Sequence, residues 1–262
     1  MKNTTLSFFV ILVLIFSRCN NSSQKNDLET ILNDSALYKY NVIERFSISK
    51  ADTTSIFFSY PELTEKTPLA DSLSKLILLG ITSGENSAPS IEAYADSFIY
   101  NYELFSKEMQ ATMPWYMNLE VKIEHNSPNV FSIAAYEDEY TGGAHPNGYV
   151  IYTNLNRKTG KTISLSDIFK SGTLKTLNTI AEKLFREQNE IASNSKLEDE
   201  GYFVFNEEKL GTFSINNNFL LTKDGIQFYY NTYEIAPYVV GPSSVFIKWE
   251  ILNQILKKEF VL

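Results

Sequence analysis

The chain has 262 residues, which is enough for one large domain or two small ones with a buried core. Its net charge is −8 with an isoelectric point near 5, and no basic stripe is visible, so we do not expect it to bind nucleic acid. Aromatic residues make up 14% of the chain, and because such residues favour strands, the composition predicts a β-rich fold.

A short apolar run near the N-terminus predicts an export signal. Lys2 precedes residues 6–16, and these eleven residues are too few to cross a bilayer, which needs roughly 20. Cys19 is the only cysteine, so it cannot form an internal disulfide, and it stands where a bacterial lipoprotein signal would end. We therefore predict a lipobox with Cys19 as the lipidation site, although Arg18 is larger than the residue usual at that position.

Ordinary signal cleavage nearby and an uncleaved anchor are the alternatives at this end of the chain. We assign residues 1–18 to a signal peptide. Residues 19–35 are assigned to a flexible tether, because the segment 20–27 is polar and lacks periodicity. Removal of the signal would leave 21 basic and 31 acidic residues, a net charge of −10.

The folded part is predicted to begin with a hairpin and two helices. Strands are expected at 38–49 and 54–63, on either side of a turn at 51–53. Thr67 and Pro68 are the cap and first residue of a helix that ends near Gly80, and Ser90 caps a second helix. Apolar residues at helical spacing are expected to face the core: Leu69, Leu73, Leu76 and Ile77 in the first helix, and Ile91, Tyr94, Phe98, Tyr102, Phe105 and Met109 in the second.

Three strands are predicted next, at 115–125, 130–140 and 148–156. A regular middle strand would place Glu137 and Glu139 on the same face as the apolar residues before them, which are Phe131, Ile133 and Ala135. Two carboxylates are costly in a core, so this strand is expected to leave the core or to bulge there.

The second half begins with a short strand at Ile163 and a helix capped by Ser166 or Asp167. A longer helix is predicted over residues 173–192, followed by a polar connection at 193–201. Its inward face is expected to contain Leu174, Leu177, Ile180, Ala181, Leu184 and Phe185.

The last part of the chain predicts a hairpin over 219–230, with Asp224 and Gly225 in its turn. A loop rich in proline then leads to a final strand, and residues 248–260 are predicted to form a closing helix. The order of elements predicts an α+β fold of two small subdomains, with mostly antiparallel sheets and packed helices.

Few residues carry recognisable chemistry. The two histidines, His125 and His145, belong to no HxxxH or HExxH pair, and no G-x-S-x-G nucleophile elbow is present. We expect no metal and no cofactor. One alternative stays open, in which His145 forms an acid–base or metal cluster with Glu137, Asp138 and Glu139.

The segment from Tyr140 to Tyr149 joins two predicted strands. Gly142 and Gly143 are consistent with a tight turn that demands positive φ. They are also consistent with a contact loop, because two glycines expose the backbone while Tyr140, His145 and Tyr149 supply side chains for a ligand.

Two stretches resemble the PdaC/RsiV-like envelope module of bacteria. The stretch YTGGAHPNGYVIYTNLNRKTGKTISLSDIF (140–169) is similar to that family's Y-x-G-G-A-H segment, which a strand, a T-G-K turn and an L-x-D-hydrophobic-F element follow. The stretch FLLTKDGIQFYYNTYEIAPYVVGPSSVFIKWEIL (219–252) is similar to its closing pattern of a D-G hairpin, Y-x-I-A-P-Y and a strand. On this resemblance we assign 36–155 to a PdaC-like subdomain and 156–262 to an RsiV-like one.

The resemblance implies a two-part α+β module outside the bacterial membrane. In some relatives it precedes a polysaccharide deacetylase domain, and in others it is the outer region of an anti-sigma factor that binds lysozyme. A deacetylase domain would need an aspartate-rich metal motif and an HxxxH pair, which this sequence does not contain. We therefore expect a non-catalytic binding or sensing module in the cell envelope, with a cell-wall glycan hydrolase or deacetylase-related enzyme as the alternative.

The expected ligand is a protein or a cell-wall glycan: a basic muramidase resembling lysozyme, or the glycan of peptidoglycan. The membrane contact is expected through an N-terminal lipid anchor. Ligand contacts are expected in two loops, at Tyr140, Gly142, Gly143, His145 and Tyr149 in the first, and at Glu234 and Tyr238 in the second, which spans 234–241.

Overall fold

The structure is a computed structural model, which describes residues 37–49, 52–82, 88–110, 113–202, 205–206, 209–210 and 213–260. The signal segment 1–18, Cys19 and the tether 19–35 lie outside the described residues. They therefore stay predictions.

The first half of the fold contains a five-stranded sheet. Its strands are β1 (Tyr38–Ser49), β2 (Asp52–Leu63), β3 (Tyr116–Asn126), β4 (Val130–Tyr140) and β5 (Asn147–Asn156), which lie in that order across the sheet. All neighbours are antiparallel except β2 and β3, which pair in parallel through Ser55–Ser59 and Tyr116–Glu120. The five predicted strands are confirmed to within two residues at each end.

Two helices, α1 (Pro68–Thr82) and α2 (Ile91–Met109), connect β2 to β3. Both predicted caps are confirmed, because the Ala70 N–H donates to Thr67 Oγ1 at 3.2 Å and the Ala93 N–H donates to Ser90 Oγ at 3.1 Å. This long helical connection is what allows β2 and β3 to run parallel. Helix α1 continues two residues past Gly80, so the predicted end of the helix was too early.

The core of this half lies between the sheet and the two helices. Ile91, Phe98 and Tyr102 are buried on α2 as predicted, whereas Phe105 and Met109 are exposed. The prediction was wrong for these last two residues, because the end of α2 lies outside the buried cluster and the Phe105 ring rests on Trp115, with centroids 5.1 Å apart.

Strand β4 leaves the core without a bulge. Phe131 and Ile133 are buried, while Ala135, Glu137 and Glu139 on the same face are only partly buried. The pairing of β4 with β5 is regular, and the irregularity in this sheet lies in β3, between Ile123 and His125. Of the two expected outcomes, a strand that leaves the core is the one observed, and the two carboxylates lie at the edge of the core.

The second half contains the following elements: α3 (Leu165–Ile168), α4 (Leu174–Gln188), β6 (Phe205–Asn206), β7 (Lys209–Leu210), β8 (Phe219–Leu221), β9 (Gly225–Tyr230), β10 (Ser243–Lys248) and α5 (Trp249–Leu252). Strands β8, β9 and β10 form an antiparallel sheet in the order β10-β9-β8, and β6 pairs with β7. The α+β prediction with mainly antiparallel sheets is confirmed.

Four local predictions in this half were wrong near α3 and α4. No strand forms at Ile163, where the pairing is a single bridge between Leu155 and Thr162. Ser164 is the cap of α3, because its N–H donates to the Asp167 carboxylate at 2.8 Å, so Asp167 supports the cap and is not the cap itself. Helix α4 ends at Gln188 instead of residue 192, and Leu174 in its first turn is exposed.

The predicted closing helix is also wrong over most of its length. Helix α5 has four residues, and only a short 3-10 turn follows at Lys258–Phe260. Tertiary pairing explains the interruption, because the Lys170 N–H donates to Ile255 O and the Lys257 N–H donates to Ile168 O, both at 2.9 Å. These bonds hold the chain beside α3 in a conformation that a helix does not allow.

Gly225 begins β9 and has a different role from the one expected. Its φ is not in the positive range, and the turn is closed by Thr222 Oγ1, which accepts from the N–H groups of Asp224 (3.2 Å) and Gly225 (3.1 Å). A Cβ at Gly225 would lie 2.2 Å from Ile247 O, so the glycine is required by the close approach of β10.

Residues 38–262 form one compact unit, and most of the buried apolar side chains that the structure describes fall into two clusters. One cluster lies under α1 and α2, and the other surrounds α4 and the three-stranded sheet. The assignment of 36–155 and 156–262 to separate subdomains stays a prediction. Within the described part of the chain, no helix combines the length and the apolar character that crossing a membrane requires.

Asparagine side chains connect the outer edge of β5 to the second half. The N–H groups of Val150 and Tyr152 donate to Asn231 Oδ1 (2.7 Å) and Asn218 Oδ1 (2.8 Å). Asn218 Nδ2 returns a bond to Val150 O at 2.8 Å. The side-chain amides thus bond to backbone groups at the free edge of β5, which a sixth strand would otherwise have to satisfy.

Asn154 makes the reverse connection from β5 to β8. Its Nδ2 donates to Phe219 O at 2.7 Å, and its Oδ1 accepts from the Leu221 N–H at 2.8 Å. The side chain is almost fully buried. We refer to Asn154, Asn218 and Asn231 together as the asparagine joint.

Candidate functional site

The loop between β4 and β5 has the backbone conformation that a glycine turn requires. Gly142 and Gly143 have φ values of 107° and 105°, which side-chain-bearing residues rarely adopt. No other atom lies within 4 Å of the position that a Cβ would occupy at either residue. The loop is therefore a turn by its dihedral angles, and its backbone is also open to approach by another molecule.

His145 packs against the second predicted loop. Its ring stacks on Tyr238 with centroids 3.8 Å apart and an angle of 21° between the planes. Nδ1 lies 3.0 Å from Pro146 O, and Nε2 lies 3.3 Å from the Tyr233 hydroxyl. Because a carbonyl oxygen only accepts, Nδ1 carries the proton in its contact with Pro146 O, and the Tyr233 hydroxyl, which can donate or accept, is the partner of Nε2.

Further aromatic residues continue this surface. Tyr140 donates its hydroxyl to Gly143 O at 3.0 Å and stacks on Tyr116 with centroids 6.2 Å apart. Burial raises the pKa of Tyr116, and the neighbouring Asp138 raises it further. Tyr238 also donates to Pro146 O at 3.3 Å, so side chains from both loops bind the backbone of the glycine loop.

The two loops, which are nearly a hundred residues apart in the sequence, thus form one surface. It is strongly exposed at its outer end, since Tyr233 is 54%, Tyr238 38% and Val239 90% accessible. We call this surface the junction patch and define it as Tyr116, Tyr140, His145, Tyr233, Tyr238 and Val239.

Two of the predicted contact residues have other surroundings. The Glu234 carboxylate accepts from Asn216 Nδ2 at 3.1 Å and lies beside Asn231, so it supports the asparagine joint. Tyr149 is exposed on β5, where it lies opposite Glu137 in the register. Neither residue makes a hydrogen bond or ring contact with the junction patch among the contacts that the structure describes.

The acid–base alternative required His145 to meet the carboxylates of β4. The structure separates them: Glu137 and Glu139 line cavities under the helices, whereas His145 stacks on Tyr238. Asp138 lies on the opposite face of β4, beside Tyr116. In the described ranges, no group of three or more His, Cys, Asp or Glu side chains is arranged to hold a metal ion.

His125 lies in a different place, in a cavity of about 460 Å³ that Trp249 and Phe260 also line. Burial lowers the pKa of its ring, which favours the neutral imidazole. It has no part in the junction patch.

Sequence reasoning did not select Tyr116 or Tyr233, and it covered Val239 only as a member of the predicted contact loop 234–241. Tyr233 has φ 71°, a left-handed conformation that is uncommon for an aromatic residue and costs free energy wherever it occurs. This strain is visible only in the structure. Val239 could have been noticed, because an apolar pair between two prolines (APYVVGP) has no strand or helix periodicity that would bury it.

Two family models match parts of the chain, one in each half. Residues 47–148 match the family model described as Deacetylase PdaC, and residues 166–250 match that of DUF3298, a protein of unknown function. The Bacillus subtilis protein named peptidoglycan-N-acetylmuramic acid deacetylase PdaC is 27% identical over 188 residues, which is 69% of this chain. The chain spans 38% of the length of that relative.

Two solved structures of DUF3298 proteins share the fold. The protein from Bacteroides fragilis has a TM-score of 0.70 at 23% identity, with 84% of this chain and 94% of that one covered. The protein from Pseudomonas aeruginosa has a TM-score of 0.66 at 19% identity, with coverages of 85% and 95%. The matches confirm the predicted two-part module, a PdaC-like region followed by a DUF3298 region.

Proposed function

We propose that this chain, a PdaC-like region followed by a DUF3298 region, is a binding module of the bacterial cell envelope that works without catalysis. The location in the cell envelope is supported by the relative's name, which describes a deacetylase of peptidoglycan. The similarity to that relative covers most of this chain. The binding role is supported by the junction patch.

The junction patch carries this proposal because it combines exposure with the residue types that anchor protein interfaces. Tyrosine is enriched among residues that contribute most to binding, and large apolar side chains in an interface gain free energy when a partner covers them. Val239 is at the outermost point, and the stacked pair of His145 and Tyr238 holds the base of its loop in place.

The ligand that best fits this surface is a basic protein such as a muramidase. The exported part of the chain would carry a charge of −10, from 21 basic and 31 acidic residues, and charge complementarity speeds association with a cationic partner. The glycan of peptidoglycan is the second candidate, because the exposed rings of Tyr233 and Tyr238 offer faces on which a sugar can stack.

Titration calorimetry with a basic lysozyme at low and high salt tests the protein ligand. We expect binding that weakens with salt, and we expect Tyr238→Ala to reduce the affinity about tenfold or more. Tyr100→Ala is the matched control, since Tyr100 is 60% exposed on α2, away from the patch. Absence of binding up to high micromolar lysozyme at low salt would eliminate this ligand.

The glycan ligand is tested with the same variants by co-sedimentation with insoluble peptidoglycan. Sedimentation that Tyr238→Ala abolishes and Tyr100→Ala preserves would identify the glycan as the ligand of the patch. Equal sedimentation of both variants would place glycan binding, if any, elsewhere on the protein.

We further propose that the protein is exported and tethered to the membrane through a lipid on Cys19. The proposal rests on the basic start, the short apolar run and the single cysteine that follows it. A tether of polar residues would then hold the junction patch away from the lipid surface.

A further inference from the structure

A cleft runs between the two helices and the five-stranded sheet, on the side of the sheet away from Tyr116 and Tyr140. It consists of three neighbouring cavities of about 340, 230 and 250 Å³. The first two share Gly80, Ile81, Leu119 and Glu137 as walls, and the last two share Tyr94 and Glu139. We call these three adjoining cavities together the helix-side cleft.

Two carboxylates lie in the middle of the helix-side cleft. Glu137 and Glu139 are partly buried, and no lysine or arginine is among the described residues that line the three cavities. The ion pairs of the described chain do not include either residue. Two negative charges that are close together and removed from water are costly without a cation.

The surroundings of the two glutamates show this cost. Burial raises the pKa of Glu137, and the charge of Glu139 raises it further. Tyr94 lies beside both, and its pKa is raised by burial and by the two carboxylates. The three groups therefore face the same space, and a positive charge there would relieve the repulsion between the carboxylates.

One end of the cleft is apolar. Helix α1 leaves the adjoining face of β4 and β5 uncovered, and Ile151 on that face is 57% exposed. The walls of this 340 Å³ cavity are mainly aliphatic: Leu76, Ile77, Ile81, Val121, Ile133 and Ile151. An aliphatic group bound there would remove its own surface and that of Ile151 from water.

The other end of the cleft is aromatic. Tyr94 and Trp115 line the cavity of about 250 Å³ next to Glu139. The Trp115 ring is fixed by Phe98, Tyr102 and Phe105, with centroid distances between 5.1 and 6.0 Å. Aromatic faces attract cations, so this end favours a positively charged group, as the carboxylates do.

We propose that the helix-side cleft binds an amphiphilic amine, with its ammonium group between Glu137 and Glu139 and its aliphatic body along the α1 end. This site is separate from the junction patch, and its occupancy does not depend on the function proposed there. The carboxylates select against an anion of the same shape, and the aliphatic walls favour a body longer than the four methylenes of a lysine side chain.

Titration calorimetry with a series of simple amines tests the assignment. We expect octylammonium to bind, and octanoate, which has the same chain and the opposite charge, to bind at least tenfold more weakly. Butylammonium represents the lysine side chain. Affinity should rise about fourfold for each added methylene between the butyl and octyl compounds.

A double variant separates the charge from the apolar contact. Glu137→Gln with Glu139→Gln keeps the shape of the cleft, and we expect it to weaken octylammonium at least tenfold while the neutral octanol binds as before. Glu108→Gln, on the exposed side of α2, is the control and should leave both affinities unchanged.

Three results would overturn the proposal. They are binding of octanoate as tight as that of octylammonium, an unchanged affinity of the double variant for octylammonium, and absence of octylammonium binding at millimolar concentration. Affinity that does not depend on chain length would overturn the aliphatic part and assign the cleft to a short cation. A thermal melt of each variant verifies that it is folded before titration.

Discussion

At the level of single residues, the alternation of β4 decides which side chains can act together. Glu137 and Glu139 point to the helices, while Asp138 between them lies beside Tyr116 on the other face. His145 follows in the loop and stacks on Tyr238. Four ionisable residues that are close in the sequence therefore belong to three different environments, and no catalytic cluster forms from them in the described structure.

The raised pKa of Glu137 leads to a prediction about stability. A carboxyl whose pKa is raised on folding contributes stability below its ordinary pKa, and this contribution is lost as the pH rises through the raised value. Glu137 therefore opposes folding at neutral pH. We expect Glu137→Gln to raise the melting temperature at pH 7 by roughly 2–4 °C, the change that about 1 kcal/mol produces in a chain of this size.

The same substitution should have little effect near pH 4, where the native carboxyl is already protonated. The melting temperatures of the wild type, Glu137→Gln and the control Glu108→Gln are measured by circular dichroism between pH 4 and pH 7. A Glu137→Gln protein that is less stable than the wild type at pH 7 would contradict the assigned cause.

At the level of elements, features that depend on short sequence patterns were predicted correctly, whereas features that depend on long-range packing were not. The caps at Thr67 and Ser90 and the five strands follow from short patterns, and they are confirmed. The closing helix was wrong, because backbone pairing with Ile168 and Lys170 replaces helical bonds after α5. Such long-range competition cannot be recognised from a window of a few residues in the sequence.

The candidate site shows the same limit. His145 and Tyr238 were each predicted to lie in a contact loop, but their stacking joins residues 93 positions apart and could not be predicted from either loop. Glu234 was selected for its loop position, although its carboxylate is occupied by Asn216 and Asn231. Tyr233 was missed because its unusual φ is a property of the folded chain.

The asparagine joint gives a prediction at this scale. Asn154→Leu would keep the side chain's size but leave the Leu221 N–H and the Phe219 carbonyl buried without partners. Each buried unpaired group costs about 1–3 kcal/mol, so we expect a loss of about 2–4 kcal/mol in the free energy of unfolding.

Urea denaturation followed by tryptophan fluorescence measures this loss. Trp115 packs against the core of the first half and Trp249 against that of the second, so the signal reports on both. Asn118→Leu on the exposed face of β3 is the matched control, and it should change stability by less than about 0.5 kcal/mol. An equally small change for Asn154→Leu would show that the joint is not stabilising.

At the level of the whole molecule, one compact unit carries two cores, an acidic surface and two separate candidate sites. The Tyr116 and Tyr140 rings of the junction patch and the carboxylates of the helix-side cleft lie on opposite faces of the five-stranded sheet, and Thr141 in the glycine loop lines the end of the cleft nearest the patch. The protein partner proposed for the patch and the amine proposed for the cleft would therefore contact different faces of the sheet.

The proposed lipid anchor is tested on the whole chain. We expect the wild-type protein to fractionate with membranes and to incorporate a labelled fatty acid. Cys19→Ser removes the only thiol and should release the protein into the soluble exported fraction without label. Unlabelled wild-type protein, or a Cys19→Ser protein that still fractionates with membranes, would exclude lipidation at this residue.

The parallel seam in the first sheet has a consequence for the order in which the protein opens. Strands β2 and β3 share only the five pairs between Ser55–Ser59 and Tyr116–Glu120, whereas β1 and β2 are paired along their whole length. The seam is thus the weakest line across the sheet, and the hairpin on one side of it can separate while β3, β4 and β5 stay joined. Backbone amides on the two sides should then exchange with deuterium at two distinct rates, faster in the hairpin and slower in the strands that support both sites.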